Sequence, residues 1–441
     1  MERLDRLVRK FLDPSYAYEL YFLYRKSRKV EVTDERPEQL SASEEEGFAL
    51  RVVKDGRLGF AYSSSLDEEA VKEAVLRASE ACSLQEPDEG NALVKELLPA
   101  RAASVYDEDG LKLPFERKVE LAVEMERYAK ELDGRVAGVR KATYSERETL
   151  VFIKNSHGLE VSYRGSLFSS SISVLAKEDG DATLSWEVRG ARRFDRLGWR
   201  EMVKDAVFKA VSLLKPGTLE SASMPVVFFR DGFAMLVDAF SPMFLGEYLV
   251  KGKTLLKGKE GQLLASEKFT LVDDGTLEEG YATFPYDGEG VPQQRTPLFE
   301  KGVFKGFLHT YATALKTGAE PTGNAVREDY RSRPVCSTTN LLVKNGSVPL
   351  EELLSAYPRV FLVLEIMGLH TVDPVSGEFS LGVSGVLFNK GKKEKAVRGV
   401  TVAGNIMDVL AGVEEVGSDF TLYGSVGSPS VLVKELTLGG R

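Results

Sequence analysis

The feature that most restricts this chain is a change of hydrophobic period near residue 135. The first third mixes helices and strands; from 135 to 193 apolar residues alternate with polar ones. Alternation sends successive side chains to opposite faces, so such a stretch reads as strands with one buried face. Residues 149–153, 159–164, 167–175 and 182–189 read as successive antiparallel strands. Asn155-Ser156-His157-Gly158 forms a turn between the first two, so His157 reads as an exposed turn residue.

The elements before this block are of both kinds. Residues 2–12 carry Leu4, Leu7, Val8 and Phe11 on one side of a short amphipathic helix. Residues 16–24 are aromatic-rich and read as a strand; 47–54 and 58–63 flank Lys54-Asp55-Gly56, a hairpin signal. Ser65-Leu66-Asp67-Glu68 has the spacing of a capping box. The helix behind it places Val71, Ala74, Val75, Ala78 and Cys82 on one face, which makes Cys82 a core thiol. A further helix is expected over 115–132, between Pro114 and Asp133-Gly134, and another over 198–214.

At 441 residues and 43% hydrophobic, the chain exceeds one ordinary core. The Ser/Glu/Ala stretch between Lys215 and Pro225 reads as a linker, with a boundary near 216–224. The expectation is an α+β protein. Residues 1–218 form a mixed N-terminal domain of antiparallel strands and flanking helices. Residues 219–441 form a mainly antiparallel β-sheet domain. In the latter, Pro225–Phe229 is a strand and Asp231 can cap a helix over 232–243. Strands follow near 268–273, 281–284, 297–309, 358–367, 378–389 and 394–403.

Function classes narrow by exclusion. Lys plus Arg is 58 against 67 Asp plus Glu, a net charge of -9. Direct nucleic-acid binding is therefore not expected, because phosphate affinity comes from clustered cations. No apolar run approaches membrane-spanning length, and the first residues lack a signal-peptide h-region; a cytoplasmic protein is expected. Two cysteines give no disulfide framework. The three histidines, His157, His309 and His370, are scattered and none precedes Glu, so no His-Glu-x-x-His zinc site exists. Gly246 to Thr254 nearly fits a phosphate loop but has five residues between its glycines where four are needed. Asp273-Asp274-Gly275-Thr276 puts two carboxylates at a strand end, where adjacent side chains diverge; the plain reading is a turn. Cys336 has no histidine beside it in sequence and needs His309 or His370 to arrive through the fold to serve as a nucleophile.

Several ordered segments of the second half resemble the TldD/PmbA family of metallopeptidase-related proteins. They are Leu264–Thr276, Phe284–Pro292, Glu300–Gly306, Pro321–Ala325, Arg398–Asn405 and Leu438–Gly440. The similarity is strong from about 225 and collinear before it. The resemblance implies two branches: a TldD-like one binding zinc through His-Glu-x-x-x-His and a later thiolate, and a PmbA-like (TldE-like) one without those ligands. Counted back from Leu264, the motif falls on Val237-Asp238-Ala239-Phe240-Ser241-Pro242. Val237 and Pro242 replace the histidines, Asp238 replaces the glutamate, and Asp419–Gly427 holds no cysteine. Valine and proline offer no lone pair to a metal.

The resemblance therefore implies a non-catalytic, zinc-free subunit of a heteromeric peptidase acting on unstructured peptides. Zinc is expected in a TldD-like paralogue that partners it, and a homodimer when the chain is alone. No catalytic or metal-binding residue is assigned. Asp273, Asp274, Gly275, Gly323 and Asn324 are candidate elements of a cleft or substrate channel, and strand edges in 281–309 are candidate peptide-docking edges. Two other readings stand beside this one. The first is a protein-binding module of the DNA-gyrase-modulator kind. The second is an autonomous hydrolase built on Cys336 with His309 or His370, or on a metal held by Asp238, Asp273 and Asp274.

Overall fold

A computed structural model describes residues 1–101 and 105–440. The chain opens with α1 (Glu2–Phe11), then β1 (Ala17–Thr33), β2 (Arg36–Lys54), β3 (Arg57–Ser63) and α2 (Glu68–Ser83). Next come α3 (Glu108–Lys112), α4 (Phe115–Leu132), β4 (Val136–Asn155), β5 (Glu160–Glu178), β6 (Asp181–Ala191) and α5 (Trp199–Ser212). The six strands form one antiparallel sheet in the order β3-β2-β1-β4-β5-β6.

Each strand sorts its residues by parity. On one face, Leu20, Phe48, Leu50 and Val52 are covered by α1 and α2. Farther along, Val30, Val32, Ala142, Tyr144, Phe168 and Ile172 are covered by α4 and α5. On the other face, Tyr21, Leu23, Val151, Ile153 and Val161 pack against Val291 and Tyr330 of the second half. The hairpin at Asp55 (φ 50°) and Gly56 (φ 72°) has the paired positive φ that a two-residue turn between twisted strands requires. Cys82 is buried in the α2 core.

Several elements differ from the sequence expectations. β1 and β2 run far past 24 and start well before 47, through a charged stretch with poor strand propensity. Cross-strand register explains it: Arg25 faces Glu45, with an ion pair at 3.1 Å, and Lys26 faces Glu44. The two strands expected at 159–164 and 167–175 are one, β5, continuous through Gly165-Ser166. The α2 cap is Asp67, whose side chain accepts from Ala70 N at 2.8 Å, while Ser65 Oγ donates to Asp67.

In the second half, the stretch read as a linker is partly sheet: β7 (Pro216–Gly217) pairs with Ala396–Val397, and β8 (Ala222–Phe228) is a central strand. Helix α6 (Arg230–Ala239) starts earlier than expected. Asp231 does not cap it; the side chain turns inward to Lys209 Nζ at 2.5 Å. Strands Val431–Gly439, β8, Arg359–Met367, Glu378–Asn389 and Lys392–Asn405 pair in sequence. Thr401–Ala403 then pairs back with Thr437–Gly439, closing a five-stranded ring. Arg359–Met367 runs parallel to β8; the other pairs within the ring are antiparallel.

A second sheet contains Val303–Phe304, Arg295–Glu300, Leu271–Asp274, Leu341–Val343, Val426–Ser428 and Thr421–Tyr423, in that order. Residues 281–284 form no strand; Arg295–Glu300 pairs with Leu271–Asp274 on one side and, through Phe299 and Glu300, with the edge strand Val303–Phe304 on the other. Its Phe299 joins Phe233, Phe240, Phe361 and Phe379 in the core between the sheets.

Candidate functional site

Helix α6 and the turn after it carry the positions where the family resemblance puts the metal motif. Val237 lies on its inner face, 3% exposed, in the main apolar core. Asp238 follows on the outer face and is exposed. Pro242 is the second residue of the 3-10 turn Ser241–Phe244. Among the described residues no group of three or more His, Cys, Asp or Glu side chains converges on a point fit for a metal ion. A catalytic zinc needs three protein ligands. A buried valine, an exposed lone carboxylate and a proline do not fit that group, and no reaction step is derived through it.

The cysteine and histidines do not make a nucleophilic site. Cys336 Sγ is buried and donates to Leu308 O at 3.1 Å; burial pushes its thiol well above the ordinary range. His309 Nδ1 meets Thr313 Oγ1 at 3.2 Å, and burial lowers its pKa. No hydrogen bond joins the two side chains among the described residues. His157 and His370 sit in turns.

Sequence-selected polar residues do converge, in a buried frame. Asp273, at the end of Leu271–Asp274, accepts from Thr339 N at 2.6 Å, Thr339 Oγ1 at 2.8 Å and Asn324 Nδ2 at 2.8 Å. Burial pushes its carboxyl up to about 7, with these bonds working the other way. Asn324 also donates to Ser337 O. Asp274 points away, accepting from Thr276 N and Oγ1. Asn340 ties Asp274 O, Thr283 and Ala282 N together. Gly275 lets Gln293 pack closely; Gly323, at φ 74°, passes so near Pro292 O that an added Cβ would lie 2.3 Å from it.

This frame holds the loops 276–294, 318–327 and 337–340 against the N-terminal sheet. At the junction four buried charges interlock. Arg51 donates to Glu19 at 2.9 and 2.5 Å and to Glu289 at 3.0 Å; Arg327 also donates to Glu19. Asp287 accepts three backbone N–H bonds, from Glu289, Val291 and Ala325. Burial, with Glu289 adding to it, pushes the Asp287 carboxyl upward. The quartet was not legible beforehand: Glu19 and Arg327 are 308 positions apart.

Between sheet and loops lies a cleft of about 220 Å³. One wall is Tyr21, Leu23, Arg25, Arg147, Thr149, Val151, Tyr163 and Leu167, all odd-numbered positions on one sheet face. The other is Ala282, Phe284, Tyr286, Asp287, Gly288 and Gln293, with Ala325–Arg327 and Ser337–Thr339. The five expected cleft residues, Asp273, Asp274, Gly275, Gly323 and Asn324, do not line it; they bond the loops that do. The cleft joins a second hollow of about 380 Å³ on the same sheet face, lined by Ser27, Ser43, Ser145 and Ser169 among others; the two share Arg147 and Leu167.

The fold is an α+β scaffold in which one six-stranded antiparallel sheet with its helices precedes a second, β-rich part. Family sequence models match nearly end to end: PmbA/TldA metallopeptidase domain 1 over 18–82, the central domain over 108–214 and the C-terminal domain over 221–440. The chain belongs to this PmbA/TldD family. It is 27% identical to the metalloprotease PmbA homolog of Haemophilus influenzae over 97% of this chain and 95% of that one. Among solved structures it is similar to TldE of Thermococcus kodakarensis, with 26% identity, TM-score 0.90 and all of both chains covered. It is equally similar to a Thermotoga maritima protein described as a candidate modulator of a DNA gyrase, with 26% identity, TM-score 0.91 and 99% of each chain covered.

Proposed function

We propose that this chain is the zinc-free, TldE-like subunit of a two-component TldD/TldE-type peptidase that processes unstructured peptides in the cytoplasm. The observation that carries it is the filling of the expected ligand positions: Val237 inside the core and Pro242 in a turn. The likeness to TldE over the whole chain supports it. In this reading the chain supplies no catalytic group. It shapes the chamber wall, with Asp273, Asp274, Gly275, Gly323 and Asn324 as the frame behind the cleft, and it forms a homodimer when its TldD-like partner is missing.

The test combines metal content with activity. The chain is purified alone, its zinc measured by elemental analysis, and cleavage of unfolded casein followed with and without a His-Glu-x-x-x-His-bearing relative. The expected result is no zinc, no cleavage alone and cleavage in the mixture. Stoichiometric zinc with cleavage by the chain alone overturns the reading. The likeness to the Thermotoga protein favours a second reading, a binding module acting on gyrase. Inhibition of gyrase supercoiling by the chain, with no gain of proteolysis in the mixture, would select it.

A further inference from the structure

The cleft between the N-terminal sheet and the 282–287 loop is cationic, in a chain whose net charge is -9. Arg25, Arg147 and Arg327 line it, against one carboxylate, Asp287, whose oxygens are taken by three backbone N–H groups. Arg327 is committed to Glu19, and Arg25 to Glu45 at 3.1 Å and Glu328 O at 2.8 Å. The Nε–H of Arg25 is buried without an acceptor. Arg147 forms no side-chain hydrogen bond and no ion pair among the described residues. It is exposed to solvent and stands diagonally across from Arg25 on the same sheet face.

A further positive charge lies behind the wall. Arg192 is buried and, among the described residues, donates only to carbonyl oxygens, those of Gly280, Ser166 and Thr283, with no carboxylate. Its guanidinium lies 4.3 Å from the ring centre of Phe284, a cleft residue whose ring is tilted 42° to that of Tyr163 at 5.1 Å between centres. Gly165 makes room for both, since a Cβ there would lie 2.6 Å from Phe284 and 3.0 Å from Arg192. An unpaired guanidinium on an aromatic-walled cleft, here that of Arg147, forms a receptor for a planar anion, because its fork of N–H donors matches the two oxygens of a carboxylate.

We infer that Arg147, which lines both hollows and has the positive charge of Arg25 beside it, anchors a carboxylate group of a bound peptide where the two hollows meet. Only the choice of a peptide as carrier rests on the proposed function; the carboxylate is read from the cleft itself. A C-terminal carboxylate and an acidic side chain share this chemistry.

The experiment titrates N-acetylated pentapeptides into the full chain by calorimetry. One probe has a free C-terminus. A second is its C-terminal amide. A third is the amide with a central Glu, and a fourth the amide with a central Lys. The carboxylate-bearing probes are expected to bind about tenfold more tightly than the plain amide, the gain of one charge-assisted bidentate contact. Whichever of the first and third gains more identifies the source. Arg147→Met should erase the difference while leaving the melting temperature unchanged, since Arg147 holds no structural contact. Arg147→Lys should keep part of it. Equal binding of acid and amide, a preference that survives Arg147→Met, or no binding of any probe overturns the inference. None of these outcomes bears on the zinc and mixing assay, so the two readings fail separately.

Discussion

Replacing Glu19 by glutamine keeps the side-chain volume and removes one charge from a site closed to water. Glu19 is fully buried and accepts from Arg51 Nε at 2.9 Å, from Arg51 Nη2 at 2.5 Å and from Arg327. Burial disfavours its ionised form, but Arg51 and Arg327 outweigh that and hold it below its ordinary value. Glutamine would offer one acceptor oxygen, and its amide N–H would face guanidinium N–H groups. Glu289 would then be the single carboxylate for two buried guanidiniums. Removing one partner of a buried pair costs about 3–5 kcal/mol, against about 0–1 kcal/mol for an exposed pair. Loss in the upper range is expected, read from urea denaturation followed by circular dichroism and tryptophan fluorescence. Because the folded pKa lies below the unfolded one, the contribution of Glu19 is present above its ordinary value of 4.5 and lost as pH falls through the folded value. The gap between wild type and Glu19→Gln should therefore narrow below that pH. Adding Arg327→Met should recover part of the loss by removing the stranded cation. A loss under about 1 kcal/mol at neutral pH, with no recovery in the double variant, would refute the reasoning.

Other outcomes follow from the same geometry. Asp273 is held near 7 by burial, above its ordinary 3.8, so its contribution is full at low pH and lost as pH rises through about 7. Denaturation curves should show that fall in the wild type and a flatter profile in Asp273→Asn; identical profiles count against it. Gly323→Ala meets both a positive φ and Pro292 O, and should lower the unfolding free energy from urea denaturation by about 1–3 kcal/mol. Cys82 and Cys336 are buried, so both thiols should react with a colourless disulfide reagent only after unfolding; rapid labelling of the native chain contradicts this. Val237→His places an imidazole in the apolar core. It should lower stability by about 1–3 kcal/mol and leave zinc content at background, checked by denaturation and elemental analysis.

The local devices of this fold can be read along the chain, because each needs only residues close in sequence. The Asp55-Gly56 hairpin, the buried face of α2 with Cys82, the helix after Pro114 and the strands Glu378–Asn389 and Lys392–Asn405 all follow from period and turn chemistry. That Val237 and Pro242 offer no lone pair to a metal is also a sequence property, whatever surrounds them. Tertiary structure alone decided where strands end and which charges meet. β1 and β2 extend through charged sequence because Arg25 and Lys26 find Glu45 and Glu44 across the ladder, a contact that propensity does not encode. The expected cleft residues come together, as Asp273 with Asn324, but as the frame behind the wall rather than its surface. Cleft, buried quartet and unpaired Arg147 exist only once distant segments are packed. The field at such a site is a sum over groups brought close by folding, and the linear order of residues does not contain that sum.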